Sequence, residues 1–449
     1  MVRFSSAKSI DYLDRVRSTY WFLPLIMTIF SIILTILLLR IDQQVPNVSL
    51  EDKWYISHIN PSNINSLLLN IAGTALGVVG IVFSITLVPL TIAASQYGPI
   101  LIRSFLRDTT TQFVLGIYSS TIGICIAILF AMPSDINSGN APLISVSVAI
   151  FMLLVSLAML LFFFHHVAEG LQASKIIANV GNEIEKEIGY ERAPLGSQTE
   201  SKIKIQGTKG SVEDAAISSV MQQGKAISAT KSGYVRAIDF DHLLKLAEKN
   251  DAIFLVKRIA GDFIIQGDSL LLSWPSPNDS TELSKAVNDS YLLGDNRTIQ
   301  QDVEYGMTSL VIIASRALSP AINDPITPAM CLNRLGVALS MLAEREGPSS
   351  YWYDNVGKLR IIADPVSFEH MAGVSFNLIR QYGRNNADVL VSMLNTIKTI
   401  AAHVHTNVEK EVLLKHAELI IEDGNAALPS SYDRQRIRQA YDEAIKAAQ

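Results

Sequence analysis

A stripe of small and weakly polar residues runs along a long uncharged apolar stretch of this chain, Leu67 to Ala94. Steps of three and four residues, the spacing of one helix face, connect Asn70, Gly73, Gly77, Gly80, Ser84, Leu87 and Thr91. Amide and hydroxyl groups at membrane depth can line a water-filled path, and an apolar constriction can close such a path by dewetting. The stripe therefore allows passive ion conduction, with Leu87 as the narrow apolar gate.

The same stripe also fits close packing between helices. Gly73 and Gly77 form a G-x-x-x-G step, and small residues let membrane helices approach closely. One such stripe in a single chain cannot easily enclose a pore, so the conduction hypothesis requires a homo-oligomer. The sequence leaves both interpretations open.

Two arginines follow this stretch and share a helix face, because Arg103 and Arg107 are four residues apart. Repeated around an oligomer, they would form a positive cytoplasmic mouth that attracts anions. Their alternative role is to fix the topology or to contact lipid headgroups.

A second concentration of charged and capping residues lies far down the chain. Its members are Arg297, Asp302, Arg316, Asn323 and Asp324. The sequence predicts one helix that begins at Asp302 and ends near Ser319, and a second helix capped by Asn323 or Asp324. The residues could form an ion-pair and capping network that fixes this helical corner. Alternatively, the capped helix start could bind a small anion or regulator.

Signatures of enzymes, metal sites and nucleic-acid binding are missing. We find no phosphate-binding loop, nucleophile elbow or dinucleotide fingerprint. His370 stands alone, and His403 and His405 are two residues apart and point to different helix faces. A net charge of −5 argues against a nucleic-acid partner. The sequence therefore predicts no enzymatic activity, no cofactor and no metal.

Four uncharged stretches are long enough to cross a bilayer, at about 21–39, 67–94, 113–132 and 141–164. They define a transmembrane domain over residues 21–166. None contains Asp, Glu, Lys or Arg, which disfavours an ion-coupled carrier. Basic residues before the first span and between the second and third predict that residues 1–20 and both termini are cytoplasmic.

The remainder has an ordinary soluble composition and predicts a cytoplasmic α+β region. Residues 167–230 are predicted to form a helical extension and a linker, which we place at Gly189 to Gly224. Residues 231–275 alternate as in a small β-rich unit, and residues 284–449 are mainly helical. The β pattern resembles the sandwiched hairpins of lipoyl and biotinyl carrier domains, although no lysine-bearing tip is present.

Three separated segments carry a resemblance to a known family. They are FSITLVPLTIAASQYGPILIRSFLRD, GYVRAID followed by GDFIIQGDSLLLSWP, and QDVEYG followed by RALSPAINDPITP. Together they resemble a bacterial family of predicted membrane proteins, domain of unknown function 2254. The resemblance implies an integral inner-membrane protein with N-terminal spans and a cytoplasmic C-terminal region, and it assigns no functional residues.

We therefore predict a homo-oligomeric, multi-pass protein of the bacterial inner membrane. Its predicted partners are the lipid bilayer, further copies of itself and inorganic ions. Passive ion conduction along the second span is the first functional hypothesis, with the cytoplasmic region assembling or gating the path. The alternative is a non-conducting scaffold or sensor whose cytoplasmic region binds a partner or small ligand.

Overall fold

The computed structural model describes residues 21–44, 63–96, 109–132, 142–170, 172–191, 211–276, 280–345, 350–364 and 366–449. The helices are α1 (Phe22–Gln44), α2 (Ile64–Gln96), α3 (Thr109–Ala131), α4 (Leu143–Gly170), α5 (Ala173–Glu191), α6 (Ser211–Gln223), α7 (Phe240–Lys249), α8 (Ser280–Asp289), α9 (Val303–Ala317), α10 (Ile326–Ala343), α11 (Phe368–Gly383), α12 (Ala387–Ala401), α13 (Asn407–Ala427) and α14 (Ser431–Ala448). The strands are β1 (Lys225–Ser228), β2 (Gly233–Ile238), β3 (Ile253–Val256), β4 (Phe263–Ile264), β5 (Ser269–Trp274), β6 (Tyr291–Gly294), β7 (Tyr351–Tyr353) and β8 (Leu359–Ile362).

The described residues form two compact units that divide after Gln172. The N-terminal unit holds α1 to α4, and the C-terminal unit holds α5 and everything after it. A helical N-terminal region with several apolar helices and an α+β C-terminal part agree with the predicted fold class.

The number of helices able to cross a membrane differs from our prediction of four. Five described helices are long and apolar enough, namely α1, α2 up to Val88, α3, α4 and also α10. The sequence pattern places α10 within a helical hairpin of the soluble region, so the predicted spans do not include it. Its 18 residues carry one charge, Arg334, so length and composition alone admit it.

Helix α3 is the centre of the N-terminal unit, because α1, α2 and α4 all pack against it. Two glycines allow α1 to approach closely. A Cβ atom at Gly116 would collide with the Met27 side chain, and one at Gly123 would lie 3.2 Å from Thr28 Cγ2. Small residues thus serve helix packing inside this unit, as they commonly do in membranes.

Polar groups between these helices are satisfied by neighbouring helices. Tyr118 donates to the Ser156 carbonyl over 2.6 Å, and the Thr121 and Ser156 hydroxyls lie 3.0 Å apart. At the end of α1, the Asp42 carboxylate accepts hydrogen bonds from the Ile144 and Ser145 backbone N–H groups at the start of α4. These contacts fix α3 and α4 together and cap α4 from α1.

Two sheets form the β-rich part of the C-terminal unit. One has the order β1-β5-β3-β8-β7 and the other β4-β2-β6. Only β3 and β8 pair in parallel; the other pairs in these sheets are antiparallel. Their core includes Phe254, Leu243 and Ile361, all fully buried.

The predicted β-rich segment, residues 231–275, contains strand β2, helix α7 and strands β3 to β5. The sheets nevertheless reach beyond that range, because β1, β6, β7 and β8 complete them. Within the predicted linker Gly189–Gly224, helix α6 is present. Val220 explains this difference: it is fully buried against Leu255, Leu359 and Ile362, so tertiary packing stabilises a segment with little helical signal of its own.

The helical part begins with α5, which packs against both α9 and α10. A Cβ atom at Gly306 in α9 would lie 2.5 Å from Ile184 of α5. Helices α9 to α14 make up most of this part. Asp302 caps α9, as the sequence predicts, and Ser367 caps α11.

Candidate functional site

The stripe predicted on the second span forms one exposed face of α2. All seven of its residues are exposed in the chain: Asn70, Gly73, Gly77, Gly80, Ser84, Leu87 and Thr91. Leu87, the largest aliphatic side chain among them, is 59% exposed. The stripe therefore faces away from the helices that α2 contacts in its own chain.

The opposite face of α2 supplies its intrachain contacts. Ile64, Leu68, Ile71, Ala75 and Val82 are buried, and they lie about 180° around the helix from the stripe. They pack against α3 and α4. Because large aliphatic residues make these contacts, the glycines are not needed for packing within one chain.

The surroundings of the stripe are open. Among the described residues, no atom beyond the local backbone of α2 lies within 4 Å of a Cβ built at Gly73, Gly77 or Gly80. The Thr91 hydroxyl donates to the Leu87 carbonyl over 2.8 Å. Among the residues that the structure describes, neither the Asn70 amide nor the Ser84 hydroxyl makes a hydrogen bond.

This arrangement can serve close association or a hydrated path. A buried amide without a partner costs free energy in hydrocarbon, so Asn70 favours a neighbour or water over lipid. Gly73 and Gly77 would let a second helix approach closely. The predicted mouth residues Arg103 and Arg107 lie outside the described residues.

The second predicted group divides into two places at opposite ends of α9. Arg297 and Asp302 lie at its start, whereas Arg316 is in its last turn and Asn323 and Asp324 follow it. A helix of 15 residues separates the two places by about 22 Å. The residues that look dense in sequence therefore do not form one network at the corner.

The group at the start of α9, which we name the Arg297 cluster, consists of Arg297, Asp302, Glu304 and His370. Arg297 donates two hydrogen bonds to the Asp302 carboxylate, from Nε over 2.7 Å and from Nη2 over 2.8 Å. It also donates to Glu304 over 3.3 Å, and His370 Nε2 lies 2.9 Å from the other Glu304 oxygen. Asp302 additionally accepts from the Tyr305 backbone N–H and so caps α9.

The Arg297 cluster joins the three-stranded sheet β4-β2-β6 to helices α9 and α11. Gly261, in the turn before β4, has a φ of +97°, and a Cβ there would lie 2.7 Å from Asp302 Oδ2. Burial raises the pKa of the Asp302 carboxyl, and the hydrogen bonds from Arg297 oppose this effect. Because these oxygens are occupied within the chain, the cluster acts as a structural junction.

At the other end of α9, Asp324 caps the start of α10. Its carboxylate accepts from the Ile326 backbone N–H over 2.8 Å and from the Thr327 hydroxyl over 2.6 Å. Asn323 adopts a φ of +47°, which asparagine tolerates better than most residues. Since a carboxylate already occupies this helix start, the geometry favours the capping interpretation over a site for a free anion.

Comparison with known proteins identifies the family. The family model described as "Predicted membrane protein (DUF2254)" matches residues 17–399. The chain belongs to the DUF2254 family. Among its relatives are the uncharacterized protein Mb1321c of Mycobacterium bovis and the uncharacterized protein Rv1290c of Mycobacterium tuberculosis. Each is 28% identical over 347 residues, which cover 76% of this chain and 64% of the relative.

This chain therefore spans less than two thirds of the length of those DUF2254 relatives. No solved structure matches it. Membership in this family identifies the chain as a predicted membrane protein, in agreement with the apolar helices of the N-terminal unit.

Within the described part of this DUF2254 protein, no three His, Cys, Asp or Glu residues gather as metal ligands. His370 pairs with Glu304, and His403 Nδ1 lies beside a Glu344 oxygen. Cys125 and Cys331 are both buried, and neither forms a disulfide.

Sequence reasoning missed a buried histidine in the C-terminal helices. His416 of α13 is 5% exposed, and its ring lies 5.4 Å from that of Phe376 on α11. Its Nδ1 makes no hydrogen bond within the described residues. Burial lowers the pKa of His416 to about 4, aided by the charges of Lys415 and Arg380 and opposed by Glu369. The signal in the sequence was that apolar residues flank His416 at helical spacing, which predicts a buried position.

His416 should make the stability of the helical part depend on pH. Because the folded-state pKa is below the usual value of 6.5, the unfolded chain binds the proton more tightly. Stability should fall as pH drops from about 6.5 towards 4, by about 2 kcal/mol between pH 7 and pH 5. Denaturant unfolding of His416→Leu at both pH values should show a correspondingly smaller loss. His405→Leu, at an exposed position, is the matched control, and equal pH dependence in both variants would contradict this assignment.

Proposed function

We propose that this protein is a homo-oligomeric, multi-pass protein of the bacterial inner membrane that conducts inorganic ions passively. Copies of α2 surround the path and Leu87 forms its narrow point. One observation carries the proposal: the whole stripe of α2 is exposed, with open space around Gly73, Gly77 and Gly80. A face of this kind is suited to another copy of the chain or to water.

In the proposed topology, α1 to α4 cross the membrane and both termini are cytoplasmic. Helix α10 is proposed to be a core helix of the C-terminal unit. Its Arg334 pairs with Glu185 of α5 over 3.1 Å, and it also packs against α9 and α12. A charged pair between amphipathic helices belongs in a water-exposed unit more readily than in lipid.

The polar groups of the stripe support a hydrated path over a dry interface. Buried hydroxyls elsewhere in the N-terminal unit, such as those of Thr121 and Ser156, bond to neighbouring helices. Asn70 and Ser84 differ, because nothing in the described chain satisfies them. Water or permeating ions would satisfy both. The proposed role is not enzymatic.

The C-terminal unit is proposed to assemble or gate the path from the cytoplasm. Only residues 171 and 172 separate α4 from α5. Helix α5 is held by Glu185 to α10, and the Glu187 carboxylate accepts from the Gln301 backbone N–H over 2.9 Å. A movement of α9 and α10 would therefore be passed to α5, and through the chain to the last span.

Leu87→Ser is expected to raise ion leakage from liposomes several-fold, since a polar side chain prevents dewetting of the gate. Val88→Ser is the matched control: Val88 lies at the same depth, is similarly exposed at 57%, and points about 100° away. A fluorescent assay of potassium and chloride release would measure both variants. Equal leakage from the two, or background leakage from Leu87→Ser, would contradict the proposed gate.

A non-conducting scaffold or sensor is the second candidate. The G-x-x-x-G step of Gly73 and Gly77 supports it, because two such helices can pack with no space between them. In that case Leu87→Ser would change only the strength of association, which sedimentation in detergent would detect without any change in flux.

A further inference from the structure

The corner between α9 and α10 carries exposed apolar residues that the proposed function does not use. Ile322 is 49% exposed and Ile326 is 68% exposed. Tyr382, near the end of α11, is 54% exposed, and the neighbouring Arg384 is exposed too. We name these four residues the corner surface.

Packing of α11 beside α9 brings the corner surface together. At their starts, His370 Nε2 lies 2.9 Å from Glu304 Oε2. At their ends, a Cβ at Gly383 would lie 3.5 Å from the Leu318 side chain. The two helices therefore run parallel, so that Tyr382 and Arg384 lie at the same end of the unit as Ile322 and Ile326.

Helix α5 begins at this same end. Its Ile188 carbonyl accepts from Arg345, beyond the end of α10, whereas Gly181 contacts Arg334 in the middle of α10. Helix α5 therefore runs parallel to α10, and extrapolation places its first turn beside the first turn of α10. Contacts with α9 agree with this placement. Glu187 contacts Gln301, just before α9, and Ile184 contacts Gly306 within α9, so α5 and α9 run in opposite directions and α5 begins near the end of α9.

Chain connectivity restricts where that end can be. The fourth predicted span ends at about residue 164, and helix α4 continues to Gly170. Ala173, the first residue of α5, can therefore be no more than about 20 Å from the end of the apolar span. Whichever way the unit turns, the first turn of α5 stays tethered near the bilayer surface.

We propose that the corner surface docks on the headgroup region of the membrane. Isoleucine side chains can enter the boundary between headgroups and acyl chains, and a tyrosine suits the interface. Arg384 would contact anionic headgroups, which attract cations near the surface. Asp324 carries a negative charge that opposes this contact, and the partial positive charge at the start of α10, which its carboxylate caps, offsets part of it.

Site-directed fluorescence on the full-length protein in vesicles tests the proposal. A polarity-sensitive dye at Ile322→Cys is compared with the same dye at Val408→Cys, in phosphatidylglycerol vesicles containing spin-labelled lipid. Val408 is an exposed apolar residue, 69% exposed, in the first turn of α13. That turn follows His403, which contacts Glu344 beyond the end of α10, so Val408 lies at the opposite end of the unit. Unsubstituted protein gives the background from the buried Cys125 and Cys331.

Quenching at position 322 is expected to exceed that at position 408 by about twofold or more. Arg384→Gln, or replacement of phosphatidylglycerol by phosphatidylcholine, should lower the docked-to-undocked ratio by up to about fivefold. Ile326→Cys repeats the test should Ile322→Cys fold poorly. Equal quenching at both ends would overturn the proposal. The proposal would also be overturned if the dye at position 322 were shielded from water to an extent that depends on protein concentration and not on lipid, since a second copy of the chain would then cover it. Neither readout requires conduction, so this result is independent of the proposed channel function.

Discussion

Leucine substitutions at two glycines of the N-terminal unit are expected to affect different properties: one the free energy of unfolding, the other ion flux. Gly116→Leu should lower the free energy of unfolding by about 3 kcal/mol, because its side chain would enter the space of Met27 on α1. Gly77→Leu should change that free energy by less than about 0.5 kcal/mol, because no other helix in the described part of the chain lies within 4 Å of this position. Gly77→Leu should instead abolish ion flux, because the larger side chain would narrow the proposed path.

Thermal unfolding in detergent, native mass spectrometry and liposome flux, measured on the same preparations, separate these effects. Gly80→Ala serves as a mild control on the same face, since a single methyl group leaves most of the space free. Destabilisation by Gly77→Leu equal to that of Gly116→Leu would mean that the stripe packs within one chain. The proposed function would then lose its main support.

Asp302→Ala is expected to destabilise the C-terminal unit strongly. It leaves the Arg297 guanidinium, 22% exposed, without its bidentate partner and removes the cap of α9. The loss of an ion-pair partner at a buried site costs about 3–5 kcal/mol. Denaturant unfolding followed by the fluorescence of Trp274 and Trp352, both in the five-stranded sheet, would measure it.

Two control variants sharpen this test. Asp302→Asn keeps an acceptor for the Tyr305 backbone N–H but loses the charge, so its effect should be intermediate. Asp324→Ala removes only the cap of α10 at the exposed corner and should cost about 1 kcal/mol. If Asp302→Ala were no more destabilising than Asp324→Ala, the Arg297 cluster would not be the junction between sheet and helices.

Local periodicity predicted much of what the structure shows. Steps of three and four residues identified the residues that share one face of α2, and the start of α9 was predicted at Asp302. The sequence did not predict whether the stripe of α2 faces its own chain or away from it. That depends on the apolar residues Ile64, Leu68 and Val82, which compete for the contact with α3 and α4.

Non-local contacts account for what the sequence could not predict. The parallel pairing of β3 with β8 joins residues about 100 positions apart, and the contact of Gly261 with Asp302 crosses from the small sheet to the helices. Helix α6 forms where its own sequence says little, because Val220 fills a place in the sheet core. The distance between Arg297 and Asp324 could have been predicted from the sequence, since the length of α9 alone places them at opposite ends of that helix.

Ion flux from liposomes that contain the purified wild-type protein tests the central claim most directly, with chloride and potassium measured separately. The proposal predicts flux of at least one of these ions that is abolished by Gly77→Leu or Ser84→Leu. An absence of flux across a range of pH and voltage, from protein that is folded and oligomeric, would contradict conduction. The protein would then be better described as a membrane scaffold.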